Sequence, residues 1–434
     1  MLPRSRIALA ATASTLFATS AVMAGIQTFQ PLTSFAGDGW LAPGENASIP
    51  FASDNQRGLA VNPVNGNVYL ATRGTAAVQI LNGNTGALSG GLDVSTVTGG
   101  TVNLTSLRTA ADGSIYATNL TAGRSLGTAS SVPADPATLR VYRWATEGST
   151  PVVAYESPQT AFDATSNPLG VLTTTLSSTT LPATVVGFNV KYRYRLGDSM
   201  DVFTDPANNQ NVTVLVSLQN PYSVGTTNDV PVTDLPNRNS YALLRTTNGG
   251  TSWTATVPSF SGSPVPSLGD FRLGLTFTDS DSKVFGSQGS SIFRYTTNSG
   301  ASATLQGSPT FANISGNSRH MDYVEIGGNK LLAILDVGNA TNTGPGTVRI
   351  YDVADPLNPV FLGSARAAGA TNAVANGNAT GSIMFGTPVG DTVKLYTLVT
   401  NNGVAAYTIT VPEPTTLAAL AGVTVMSLAR RRKA

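Results

Sequence analysis

Met321-Asp322-Tyr323-Val324-Glu325-Ile326, Leu331-Leu332-Ala333-Ile334-Leu335, Val348-Arg349-Ile350-Tyr351-Asp352-Val353 and Val360-Phe361-Leu362 are four short runs rich in β-branched, aromatic and aliphatic residues, and they follow one another within residues 321–362. Runs of this length, separated by turn residues, predict four antiparallel strands in sequence. The same order recurs upstream. Gly58 to Val61 passes through Asn65-Gly66 into Val68 to Thr72, and Ala77 to Leu81 then enters a turn at Asn82 to Gly86. Leu107 to Ala110, Asp112-Gly113, Ser114 to Thr118 and Leu139 to Trp144 repeat it. Further units begin near Tyr194, Phe271, Arg319 and Thr371. The Asn-Gly and Asp-Gly pairs supply the positive φ that tight hairpins need.

Four short antiparallel strands in every 40–50 residues or roughly so is the blade pattern of a β-propeller. The chain reads as an all-β protein of six such four-stranded blades. The second and third units carry extra loops, Leu120 to Thr138 and about Gln159 to Ala183. A seventh blade hidden in that stretch is the alternative. Ile26 to Leu32 is expected to add a strand to the last blade, whose own final strand is Val404 to Val411, so closing the ring and protecting its edges.

Composition agrees. Charged residues are 11% of the chain, with 44 Gly and 25 Pro. That mixture favours turns and strands over amphipathic helices with charged outer faces. There is no Cys, which excludes disulfides, thiol catalysis and Cys-containing zinc sites. The core must therefore stabilise the fold unaided.

The two ends of the chain read as addresses. Arg4 and Arg6 precede the apolar stretch Ile7 to Val22, and Val22-Met23-Ala24 suits signal peptidase, so residues 1–24 read as a secretory signal peptide cleaved after Ala24. At the other end, Val411-Pro412-Glu413-Pro414 is followed by apolar Thr415 to Ala429 and by Arg430-Arg431-Arg432-Lys433. Pro412 and Pro414 stop the preceding strand. The apolar stretch is short of the roughly 20 residues that span a bilayer comfortably. The basic cluster favours the cytoplasmic side. This tail resembles the PEP-CTERM sorting signal of Gram-negative bacteria that make extracellular polysaccharide. The resemblance implies that an exosortase, a membrane transpeptidase, recognises Pro412, Glu413 and Pro414 while the helix and Arg430, Arg431 and Arg432 anchor the precursor transiently. It also implies passage through the inner membrane and periplasm to the cell surface or extracellular matrix. Residues 25–411 are then the working domain and 412–434 the removable signal. Without both signals 19 basic and 23 acidic residues remain, so the precursor's +1 becomes −4. A basic nucleic-acid binder is not indicated.

Thr246-Thr247-Asn248-Gly249-Gly250-Thr251-Ser252-Trp253 resembles the Asp-box of sialidase-type propellers, with Asn248 where Asp is usual, and Thr296-Thr297-Asn298-Ser299-Gly300 reads as a degraded copy. In those families the box is structural. Val348 to Pro359 is similar to a strand-turn repeat of other bacterial propellers.

Candidate ligand-binding residues come from one regularity: an Arg near the start of successive units, at Arg57, Arg108, Arg195, Arg272 and Arg319. An Asx stands two residues earlier in three of them, at Asn55, Asp270 and Asn317. First strands of propeller blades line the central channel, so these cations are expected to converge on one end of it and to suit carboxylate, sulfate or phosphate groups. The competing reading is that each Arg bonds a neighbouring blade and locks the ring, which the mutual repulsion of five cations favours.

Enzymatic signatures are weak. His320 is the single His, and no Gly-x-Ser-x-Gly elbow is present. The Arg-Ile-Pro element of sialidases is also missing. The Asp198/Asp201 and Asp279/Asp281 pairs have the oxygen ligands that calcium takes but fit no full calcium loop, so turn capping is the expectation. No cofactor or metal site is read. The leading expectation is a non-catalytic, surface-sorted propeller that binds extracellular polysaccharide or a surface protein. The alternatives are a hydrolase or lyase acting on a glycan or lactone through an Arg, an Asp and His320, and a purely structural surface component.

Overall fold

Runs such as Leu331–Leu335 are apolar at every position because both faces of the strand are covered. Leu331, Ala333 and Leu335 point into one core cluster and Leu332 and Ile334 into another. Side chains alternate across a strand, so a strand sandwiched between two sheets must be apolar throughout.

The computed structural model describes residues 25–51, 53–73, 76–121, 138–157, 172–175, 189–192, 195–219, 241–261, 271–289, 292–338, 344–367 and 374–412. The expected signal peptide, Glu413, Pro414 and the rest of the sorting tail, Asp270, and most of the two extra loops lie outside them. Two short strands come first, β1 (Thr28–Pro31) and β2 (Trp40–Leu41). Blade 1 is β3 (Gln56–Val61), β4 (Val68–Thr72), β5 (Ala77–Leu81) and β6 (Leu88–Gly91). Blade 2 is β7 (Val102–Thr109), β8 (Ile115–Leu120), β9 (Arg140–Trp144) and β10 (Val152–Glu156). A hairpin of β11 (Leu172–Thr175) and β12 (Asn189–Tyr192) precedes blade 3, made of β13 (Arg195–Thr204), β14 (Val212–Gln219), β15 (Tyr241–Thr246) and β16 (Thr254–Thr256). After β17 (Ser259–Ser261), blade 4 is β18 (Gly274–Phe277), β19 (Lys283–Gly289), β20 (Ile292–Ser299) and β21 (Ser302–Gly307), and β17 joins β21 in parallel. Blade 5 is β22 (Ser318–Ile326), β23 (Asn329–Asp336), β24 (Thr347–Asp352) and β25 (Val360–Ala365). Blade 6 is β26 (Gly381–Phe385), β27 (Thr392–Val399) and β28 (Val404–Thr410), completed by β1.

Six core clusters occupy the six junctions between blades, the last joining blade 6 to blade 1 through Leu398 and Val404 against Leu59 and Leu70. The protein is thus an all-β, six-bladed propeller. A seventh blade does not occur among the described residues: the stretch proposed to hide it contributes the β11–β12 hairpin. Thr371, where the repeat places the start of the sixth unit, lies outside the described residues; the first described strand of that unit starts at Gly381, and Asn376 bonds both N–H and C=O of Thr380 to hold the approach to β26 as a turn.

Closure follows the expected route. β1 pairs antiparallel with β28, Thr28 opposite Thr410 and Pro31 opposite Tyr407, and Trp40–Leu41 adds to the same strand. Buried Trp40 donates its indole N–H to Asn402 O at 2.7 Å. Gly403 has φ 85°, and a Cβ there would stand 2.0 Å from Leu41 O, so only glycine lets β2 approach.

The Thr246–Trp253 turn joins β15 to β16. Asn248 Oδ1 accepts from Ser252 N (3.0 Å) and from Thr246 Oγ1 (2.8 Å), and Trp253 folds back to donate to Gly250 O. Asn298 does not repeat this: its Oδ1 accepts from the Tyr241 hydroxyl, tying blade 4 to blade 3.

Candidate functional site

The first strands form the inner ring. β3 packs on β7, β7 on β13, β13 on β18, β18 on β22, β22 on β26 and β26 back on β3. Where these strands begin and the second strands end, the channel opens into a cavity of about 520 Å³. Arg57, Arg195, Arg272 and Arg319 all line it. Arg108, the fifth expected cation, does not. It lies deeper, at a constriction of about 20 Å³ shared with Ser106, Ser199, Met200, Met321 and Ser382.

Backbone irregularity aims these side chains. In β3 the register slips between Gln56 and Gly58, which leaves Arg57 as an extra residue, and in β22 the slip between Ser318 and His320 does the same for Arg319. A β-bulge re-aims one side chain without breaking the strand. In β13 the slip between Leu196 and Met200 contains Gly197, whose φ of 94° and contact with Asn119 O admit no Cβ. This bulge turns Arg195 and Asp198 toward each other. The Asx residues noted upstream act through their main chain: Asn55 O accepts from Arg73 N and Asn317 O from Val337 N, so the ladder resumes beyond each bulge.

The cations are not equivalent. Asp198 accepts two hydrogen bonds from Arg195, both 2.6 Å, and one from Arg272 Nε at 3.1 Å. The pair with Asp198 raises the pKa of Arg195 above its ordinary value. Arg57 donates to Thr380 Oγ1 and Arg319 to Ala379 O, both on the approach to blade 6. No carboxylate lies within ion-pair distance of Arg57 or Arg319 among the described residues. Burial, and then neighbouring Arg73, hold Arg57 down to about 10, and burial and then Arg272 lower Arg319. Arg73, just past the end of β4, is a mouth residue the sequence reading missed, because it follows a second strand instead of opening a first.

At the constriction Arg108 Nε pairs with Asp201 at 3.2 Å, and its NH1 donates to Leu59 O and Ser382 Oγ, so one side chain joins blades 1, 2, 3 and 6. Asp201 and Asp322 each accept a main-chain N–H from the next blade, Phe277 N and Phe385 N, both at 2.7 Å. Burial raises both carboxyls, Asp322 to about 7. His320, between mouth and constriction, is buried and held neutral: burial, then Arg319, lower it to about 3, and its Nε2 has no partner among the described residues. The Asp pairs expected to cap turns are tied by cations instead, Asp279 by Lys283 and Lys330 and Asp281 by Arg245.

Fold and channel together define a six-bladed β-propeller with a cationic mouth. The family model of the PEP-CTERM protein-sorting motif matches residues 410–433, so the chain carries that sorting motif at its C-terminus, with Pro412 directly after the closing blade. The motif implies processing by exosortase, export and sorting to the cell surface. No curated protein matches the sequence. Among solved structures, a DUF4623 family protein from Bacteroides eggerthii superposes with a TM-score of 0.53 at 15% identity, covering 83% of this chain and 72% of that one. A protein of unknown function from Bacteroides thetaiotaomicron gives 0.43 at 14% identity over 90% and 76% of the two chains. A gluconolactonase from Xanthomonas campestris gives 0.40 at 10% identity over 90% and 95%. These likenesses concern the fold alone.

Proposed function

We propose that the exported protein is a non-catalytic binder whose channel mouth takes anionic groups of extracellular polysaccharide, and that it contributes in this way to matrix or envelope organisation. The observation that carries this reading is the convergence of Arg57, Arg73, Arg195, Arg272 and Arg319 on one cavity in which Asp198 is the sole carboxylate among the described lining residues. Ring-locking by Arg57 and Arg319 does not compete with it. Each guanidinium has five N–H donors, and Arg57 and Arg319 each spend one of them on blade 6, at Thr380 and Ala379, so these bonds do not use up either cation.

Catalysis by His320 is the weaker reading. A base whose pKa has fallen to about 3 has little proton affinity at neutral pH, where an efficient general base is matched to the medium. The test is binding of residues 25–411 to polygalacturonate and to neutral dextran. The expected result is salt-sensitive retention of the acidic polymer alone, weakened at least about tenfold by Arg57→Ala with Arg272→Ala. Equal binding of both polymers, or of neither, rules the proposal out. Turnover of a glycan or lactone that disappears with His320→Ala would replace it with the enzymatic reading.

A further inference from the structure

The following rests on the acidic-glycan reading and deepens it. Three consecutive residues at the entry to blade 6 meet three different side chains of the mouth. Ala379 O accepts from Arg319 at 3.3 Å, Thr380 Oγ1 accepts from Arg57 at 2.9 Å, and a Cβ added at Gly381 would stand 3.5 Å from Cδ2 of His320. Two guanidiniums and an imidazole, all lining the cavity, are thus gathered on one wall of it. The wall is held under strain. Ala379 has φ 47°, a left-handed conformation that is unfavourable for a residue with a Cβ. Buried Asn376 keeps it there, its main-chain O accepting from Ala379 N and its Oδ1 from Thr380 N. Arg195 and Arg272 are committed differently, since both are tied to Asp198.

Two nitrogens at this wall are left over. Arg319 Nε and His320 Nε2 are both buried without a hydrogen-bond partner among the described residues, and His320 is only 9% exposed. Buried polar atoms are rarely left unbonded, so a pair of them beside a cavity points to something that enters it. The two differ in what they ask for. A guanidinium takes an oxyanion, and Arg57 with Arg319 offers two. His320 is not a third cation: burial, then the charges of Arg319, Arg108 and Arg57, hold it neutral. The Nε2 of a neutral imidazole either gives or takes one hydrogen bond, depending on the tautomer, and a hydroxyl group can complete either arrangement. A uronic acid carries a carboxylate and hydroxyls on one sugar ring.

We propose that this wall reads one acidic sugar residue, with Arg57 and Arg319 taking its carboxylate and His320 Nε2 hydrogen-bonding a hydroxyl of the same ring, so that His320 sets the specificity of binding. His320 is the single histidine of the chain, so the unaltered protein carries its own reporter. Imidazole nitrogen NMR of residues 25–411, read beside calorimetry, is titrated with galacturonate, with acetate as the carboxylate alone and with galactose as the hydroxyls alone. Galacturonate is expected to move the His320 Nε2 resonance, to bind at one equivalent per chain and to bind at least about tenfold tighter than either fragment. His320→Leu is expected to cut the advantage of galacturonate over acetate to about threefold or less, and His320→Gln, which keeps a donor and an acceptor, to restore most of it. Arg319→Gln is expected to weaken galacturonate and acetate alike, by about tenfold. Arg294→Gln, on β20 and outside the mouth lining, is expected to change neither. An unmoved His320 resonance on galacturonate binding overturns the inference, as does an advantage over acetate that survives in a folded His320→Leu protein. Polygalacturonate binding without galacturonate binding, or more than one equivalent of galacturonate, overturns the single seat. Each of these results leaves the acidic-glycan reading standing, whereas failure of polygalacturonate to bind sinks both.

Discussion

His320 and Asp322 stand two residues apart on β22, and burial drives both toward their neutral forms, with opposite consequences for stability. His320 falls from 6.5 to about 3, so between those values only the unfolded chain carries the proton. Its contribution to stability is full above about pH 6.5 and is lost as pH falls toward 3. Asp322 rises from 3.8 to about 7, so there only the folded chain carries it, and its contribution is full below about pH 4 and lost as pH rises through 7. Asp201 shifts in the same direction as Asp322, and Arg108 opposes both shifts. Thermal unfolding across pH 3–8 should therefore show a shallower acid-side loss for His320→Gln than for the parent. Asp322→Asn keeps an acceptor for Phe385 N–H and should gain more at pH 8 than at pH 4. Opposite slopes would mean that the constriction is hydrated. The solitary His was visible in the sequence, but its neutrality was not, since that depends on the five blades around it.

Strands in this ring are held by neighbours more than by their own propensity. β28 shows this most clearly, because it carries β27 on one edge and both β1 and β2 on the other. Trp40 is 1% exposed, and its indole closes the junction by bonding Asn402 O. Trp40→Ala should cost about 3–5 kcal/mol, by cavity formation and by loss of that bond, and should lower Tm without altering the blade pattern seen by circular dichroism. An unchanged Tm would show that β1 alone closes the ring. The pairing of Ile26 to Leu32 with the last strand was legible beforehand, since an unpaired first strand and an exposed last edge call for each other. The bulges at Arg57, Arg319 and Gly197 were not: a register slip is an event between two strands, and neither strand's own sequence marks it.

Across the molecule, the ring brings its two described ends together: a Cβ added at Gly25 would stand 3.9 Å from Pro412 Cγ. The chain therefore reaches Pro412, the first residue of the sorting motif's Pro-Glu-Pro, directly from a finished blade. Truncation after Val411 should release the protein from the cell surface into the medium in soluble, folded form, measured by fractionation and by an unchanged Tm. Retention of the truncated chain at the surface would mean that the body holds itself there and would make the address dispensable. Loss of folding would mean that the tail belongs to the blade.

The address, the absence of thiols, the all-β character and the repeat of four strands are all properties of short stretches of chain. Sorting enzymes read a linear segment, and strand and turn preferences act over a few residues, so the amino-acid order alone carried them. The arginines behaved differently. Arg57, Arg108, Arg195, Arg272 and Arg319 look alike along the chain, yet Arg108 became a buried tie between four blades and Arg195 a partner of Asp198, while Arg73, with no place in that regularity, joined the mouth. Which cations share a cavity depends on contacts between residues far apart in sequence and on bulges that re-aim single side chains. Only the closed ring could decide that.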